Sequence, residues 1–182
     1  MKQIIKKIIS EKKSAVIGID GFCASGKTTL ANELADEFGA TVIHMDDFFL
    51  PPEMRTAERL SQAGGNVHYE RFIEEVANGI TSGRNYSYRV FSCKEGRFTK
   101  TVDVEAGKPI IIEGAYAFHP EIPDVFDLRI FLKTDRETQL KRILARNGAD
   151  MLEVFKSKWI PLENKYFDAF DIENNCDVVI NT

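Results

Sequence analysis

Apolar and polar residues change rhythm several times along the chain, and each change marks an element. Lysine pairs alternate with isoleucine pairs from Met1 to Lys13, the pattern of an amphipathic helix. A short apolar run, Ser14 to Asp20, then stops at Gly21. From Thr29 to Phe38 the apolar positions are Leu30, Ala31, Leu34, Ala35 and Phe38, so strand, turn and helix are expected in succession. Thr41 to His44 reads as a second strand, and Asp46, Asp47 and Pro51-Pro52 mark the loop after it. Glu53 to Asn66 is expected to be a short helix followed by a flexible connection at Gly64-Gly65. His68 to Ile80 carries Phe72, Ile73, Val76, Ala77 and Ile80 at helical spacing.

The period then shortens to two. Tyr86 to Phe91 and Phe98 to Val104 alternate about Lys94-Glu95-Gly96 and predict a β-hairpin. Pro109 to Glu113, Leu128 to Leu132 and Asp177 to Ile180 are short continuous apolar runs of the kind buried in parallel sheets. A long helical stretch, Asp135 to Asn147 and Met151 to Phe170, is interrupted at Gly148 and expected to bend at Pro161. Strands alternating with helices predict an α/β doubly wound layer fold. No repeat, low-complexity tract or linker divides the chain, so one domain over 1–182 is expected.

Composition narrows the partners. With 43% hydrophobic and 29% charged residues the 182-residue chain can bury a core, and its net charge of -4 gives no attraction for a polyanion or an anionic membrane. No signal-peptide pattern opens it, and no apolar run approaches the roughly 20 residues needed to cross a bilayer. Cys23, Cys93 and Cys176 are scattered and odd in number, which fits a reducing cytoplasm rather than a disulfide framework or a zinc site. The expected partner is a small molecule, with homo-oligomerisation left open.

The sharpest chemical signal lies between the first strand and its helix. Gly21-Phe22-Cys23-Ala24-Ser25-Gly26-Lys27-Thr28 satisfies G-x-x-x-x-G-K-[ST] in the context that makes the pattern a phosphate site. Its glycines let backbone N–H groups turn toward phosphate oxygens, and the helix dipole adds positive potential at the same point. Lys27 is expected to reach the β- and γ-phosphates of ATP, and Thr28 to place its hydroxyl on Mg²⁺. Thr29 completes the ATP-binding run.

Transfer to an alcohol calls for a carboxylate that orients the hydroxyl and takes its proton. Asp46 and Asp47 follow the second strand at the carboxyl end of the sheet, and spacing alone does not choose between them. Glu113 ends the run Ile110 to Gly114, where it suits a Mg²⁺ ligand or a partner for the attacking group. His119, just beyond that strand, is a further candidate for substrate contact. Arg89 and Arg97 flank the hairpin as ordinary exposed arginines, and Trp159 and Tyr166, seven apart, read as core packing.

These residues together resemble the uridine kinase-like family of P-loop kinases, which includes the nicotinamide riboside kinases. The likeness covers nearly the whole chain and rests on four features. They are the P-loop, His44-Met45-Asp46-Asp47-Phe48-Phe49, Ile112-Glu113-Gly114, and Thr134-Asp135 followed by Arg142 and Arg146. It implies a three-layer P-loop NTPase fold of the nucleoside kinase kind, with a parallel five-stranded sheet, a small hairpin and a helical lid near 135–160. It also implies an ATP-dependent kinase with Asp46 as catalytic base, Lys27, Arg142 and Arg146 carrying transition-state charge, and Thr28 and Glu113 at Mg²⁺. Acceptor contacts are expected from Asp46, Phe49, His68, Phe91, Glu113 and His119.

The chain departs from that pattern on the acceptor side. Asn66-Val67-His68 stands where uridine kinases tend to have N-F-D, and Phe91-Ser92-Cys93 stands in the hairpin in place of a Tyr-Asp with a nearby His. The lid is shortened at Asn147-Gly148, leaving Lys156 or Lys158 to supply charge. Nicotinamide riboside or another alcohol is therefore an alternative acceptor. A GTPase-like regulatory protein is the alternative of another class, disfavoured by the lack of an N-K-x-D motif.

Overall fold

The computed structural model describes the whole chain, residues 1–182. In chain order the first elements are α1 (Lys2–Glu11), β1 (Val16–Gly21), α2 (Lys27–Phe38) and β2 (Thr41–His44). A 3₁₀ turn (Met45–Phe48) leads toward α3 (Ala57–Ser61). The next helix consists of α4 (Tyr69–Phe72), a π turn (Ile73–Ala77) and α5 (Asn78–Ser82). The hairpin β3 (Tyr86–Ser92) and β4 (Arg97–Val104) stands apart as its own sheet. Then come β5 (Ile110–Glu113), β6 (Leu128–Lys133), α6 (Arg136–Val154), a π segment (Phe155–Trp159), α7 (Ile160–Phe170) and β7 (Val178–Asn181).

Five strands form one parallel sheet in the order β2-β5-β1-β6-β7. The order reverses direction at β1, so the crevice at the carboxyl ends of β1 and its neighbours is the natural ligand position. β1 is buried along its whole length, and its alternation serves two cores. Ile17 and Ile19 join Ile5, Ala31 and Leu34 beneath α1 and α2. On the opposite face Val16 joins Phe48, Phe72, Tyr116, Phe131, Tyr166 and Phe167. Each fully buried aliphatic or aromatic side chain contributes about 1.5–3 kcal/mol, so both helical layers are anchored through the sheet they share. The expected three-layer α/β fold is the one observed.

The expected strands all form within a residue or two of their predicted limits. Three local details differ. Helix α2 begins at Lys27 rather than Thr29, because Gly26 takes a left-handed conformation and starts the helix immediately. Gly64-Gly65 is a closely packed turn, not a loose connection: Arg59 donates to Gly65 O (3.1 Å) and Val67 O (3.1 Å), and a Cβ on Gly65 would lie 1.9 Å from Arg59 O. The C-terminal helical arm does break at Gly148 (φ 81°, ψ 174°), whereas the helix runs on through Pro161, with Trp159 and Ile160 still in helical conformation and the π segment just before it accommodating its missing N–H. The second irregularity of the arm is the π segment ahead of it.

Candidate active site

The turn after β1 is shaped by its neighbours. Gly21 has φ +134°, and a Cβ there would stand 1.9 Å from Leu132 O, so only glycine brings β1 this close to β6. The Phe22 ring packs edge-on against Phe131 at 5.7 Å. Beyond these two, Cys23 through Thr29 line a cavity of about 820 Å³ at the carboxyl ends of the strands. Lys27 is buried at the head of α2, its Nζ donating to Gly21 O (2.7 Å) and Phe22 O (2.8 Å).

Strand register assembles the acidic wall. His44 is the direct neighbour of Glu113 across β2 and β5, and His44 Nδ1 lies 2.6 Å from Glu113 Oε1. That same oxygen accepts the Thr28 hydroxyl at 3.1 Å. The hydrogen bond to Glu113 raises the His44 pKa against the opposing effect of burial. A hydroxyl and a buried carboxylate oxygen at the mouth of a phosphate loop form a hard donor pair that fits Mg²⁺, which draws its remaining ligands from phosphates and water.

Asp46 and Asp47 part company. Asp46 lines the cavity, open to it yet set among protein groups. Removal from bulk water raises its pKa first, the Glu113 charge adds to this, and Lys27 and His44 oppose it. Asp47 turns to the hairpin instead, where its carboxylate accepts the Tyr88 hydroxyl at 3.4 Å and its carbonyl accepts Arg71. Phe49, Trp159, Arg142, Arg146 and Lys158 complete the cavity wall. Phe49 and Trp159 lie 6.5 Å apart between ring centroids, whereas Lys156 pairs with Glu153 on the surface.

Three expected acceptor contacts lie outside the cavity. His68 caps α4, with Nδ1 accepting Arg71 N–H at 3.2 Å. Phe91 packs edge-on against Phe98 at 5.6 Å. His119 is stacked on Tyr69 at 4.5 Å and buried, which lowers its pKa to about 4. Arg89 and Arg97 are engaged with Glu75 and Glu95. In exchange, Arg55, Tyr116, Glu163 and Thr182 line the cavity without having been anticipated, and Asn66 and Cys93 line it from the two acceptor-side segments that depart from the family pattern. Position in the chain gave no hint of the first four, since they come from loops, the returning arm and the C-terminus.

A parallel sheet with a phosphate loop at its switch point, a carboxylate across the cavity and arginines on a helical arm define a P-loop phosphotransferase. The model of the phosphoribulokinase / uridine kinase family matches residues 16–153. The chain belongs to that family, and with it to the ATP-dependent phosphotransferases that use an alcohol group as acceptor. It is 30% identical over 182 residues to a uridine kinase of Halobacterium salinarum, covering 92% of this chain and 80% of the relative. It is 25% identical to uridine-cytidine kinase B of Dictyostelium discoideum, covering 93% of this chain and 75% of that one. The fold is also that of a possible uridine kinase from Bacillus stearothermophilus, with a TM-score of 0.70 at 22% identity over 98% of this chain and 96% of the other. No helix is long and apolar enough to cross a membrane.

Proposed function

We propose that the chain transfers the γ-phosphoryl group of ATP to a hydroxyl of a nucleoside-sized alcohol, with ribonucleosides of the uridine type as the first acceptors. The observation that carries this reading is that Asp46 and the Lys27–Thr28 end of the phosphate loop line one cavity. The acceptor hydroxyl enters between them. Asp46 orients it and takes its proton, a role for which a raised pKa suits a carboxylate, because proton affinity nearer the working pH strengthens the base.

Lys27 leaves its two loop carbonyls for the β- and γ-phosphates, and Arg142 and Arg146 face the charge that develops during transfer. Thr28 and Glu113 would hold Mg²⁺, which supplies charge neutralisation across the phosphates. Phe49 and Trp159 offer an apolar wall on the acceptor side.

The test is acceptor-dependent ADP formation across uridine, cytidine, nicotinamide riboside, vitamin alcohols and sugars. The reading expects at least one nucleoside to raise ADP release far above the acceptor-free rate. Slow hydrolysis that no alcohol accelerates would overturn it.

A further inference from the structure

Every carbonyl oxygen from Gly21 to Ser25 accepts a side-chain hydrogen bond. Lys27 serves Gly21 and Phe22. Gln139 Nε2 donates to Cys23 O at 3.1 Å, Arg142 Nη1 to Ala24 O at 3.3 Å, and Thr182 Oγ1 to Ser25 O at 3.0 Å. A carboxylate takes part from the other side: Glu163 Oε2 accepts the Cys23 N–H at 2.9 Å. Cys23 is thus gripped at both its N–H and its C=O by buried side chains. Gln139 comes from the outgoing helix α6 and Glu163 from the returning helix α7.

The residue after this grip is unusual. Ala24 has φ +60°, a left-handed conformation that a residue with a Cβ adopts rarely and keeps only where its surroundings hold it. The Cys23 carbonyl belongs to the peptide unit that leads into Ala24, so fixing that carbonyl fixes the turn. Two residues on, Gly26 and the first turn of α2 supply the N–H groups that have no partner within the helix.

Glu163 makes a packing explanation costly. Its carboxylate is buried without an ion pair to a lysine or arginine, and an apolar side chain would fill the same space without desolvating a charge. What the carboxylate does there is accept the loop N–H. Gln139 also lies on the same face of α6 as Arg142 and Arg146, three and seven residues further on. One helix face therefore both fixes the loop and presents the arginines.

We infer that Gln139 and Glu163 are positioning residues for the phosphate donor: by holding the N–H and C=O of Cys23 they keep Ala24 left-handed and aim the backbone N–H groups at the head of α2 toward the phosphates of ATP. Gln139 lies off the cavity and Glu163 at its wall, and both act through Cys23. The inference rests on the reading of Gly21 to Thr28 as the ATP site.

The experiment compares Q139L, E163L and E163Q with the unsubstituted chain. It reads ATP affinity by calorimetry in the presence of Mg²⁺, KM for the acceptor, and the thermal midpoint. Q139L and E163L are expected to weaken ATP binding by about 10-fold or more, the equivalent of one lost charged or buried hydrogen bond, with acceptor KM within about twofold. E163Q keeps an acceptor oxygen for Cys23 N–H and is expected to restore ATP affinity to within about threefold. Unchanged ATP affinity with a lowered midpoint would reduce both residues to packing and overturn the inference. E163Q as damaging as E163L would overturn it too, by showing that charge rather than the hydrogen bond matters. If the unsubstituted chain bound no ATP, the donor-site reading itself would fall, and the positioning role of Gln139 and Glu163 with it.

Discussion

The Tyr166 hydroxyl, on α7, donates a hydrogen bond of 2.9 Å to Asp20 Oδ2, on β1, across the buried seam between helix and sheet. Asp20 also accepts the N–H groups of Gly21 at 2.7 Å and Phe118 at 3.2 Å. Complete burial nevertheless pushes its carboxyl from 3.8 up to about 6, with the Lys27 charge as the largest opposing influence and the hydrogen bonds behind it.

That shift fixes a pH window. A carboxyl whose pKa is higher folded than unfolded holds its proton more tightly in the folded chain, so this residue's contribution favours folding as pH falls from about 6 toward 3.8. Above about pH 6 the ionised group is a constant cost, on the order of 3 kcal/mol. Urea unfolding of the native chain minus that of D20N should change with pH through this window and be flat above it. K27A, which removes the main opposing charge, should move the window upward. Parallel pH profiles for the native chain and D20N would refute the assignment.

How far the sequence revealed the site follows from where each partner lies. The phosphate loop was legible because its donors are consecutive backbone groups, marked by glycines, Lys27 and Thr28 within one short segment. The strands were legible because burial in a parallel sheet leaves continuous apolar runs. The contact between His44 and Glu113 was not, since it depends on the register of β2 against β5. Glu163 and Gln139 were hidden more deeply: each meets a backbone atom of Cys23 more than a hundred positions away, and backbone atoms carry no residue label. His68 and His119 lie outside the cavity because a helix cap and an aromatic stack claim their rings.

Asp46 and Asp47 are adjacent in sequence but differ in reach, and substitution should separate them. D46N should lower kcat by about 10²- to 10⁴-fold, the usual range for loss of a general base, with little change in ATP affinity. D47N alters a side chain that bonds Tyr88 outside the cavity and acts on His44, Lys100 and Arg71 only through its charge, and should stay within a few-fold of the native kcat. Single-turnover transfer to the best acceptor, alongside ATP calorimetry, reads both. Equal losses in the two variants would show that the pair acts as a unit.

Gly148 divides the C-terminal arm into an inner half that carries Gln139, Arg142 and Arg146 and an outer half that brings Phe155, Lys158 and Trp159 to the cavity and Glu163 to Cys23. Its backbone, at φ 81° and ψ 174°, lies in a region reserved almost wholly for glycine, while a Cβ there would meet nothing within 4 Å. Any effect of G148A is therefore backbone strain and not a clash. Holding the bend with alanine costs about 1–3 kcal/mol, and straightening it moves the outer half away from Phe49. G148A should accordingly lower the thermal midpoint by about 2–10 °C and raise KM for the acceptor, through Trp159 and Lys158, together with KM for ATP, through Glu163. Both Michaelis constants unchanged, with an unchanged midpoint, would mean that the bend is not what brings Trp159 and Lys158 to the acceptor.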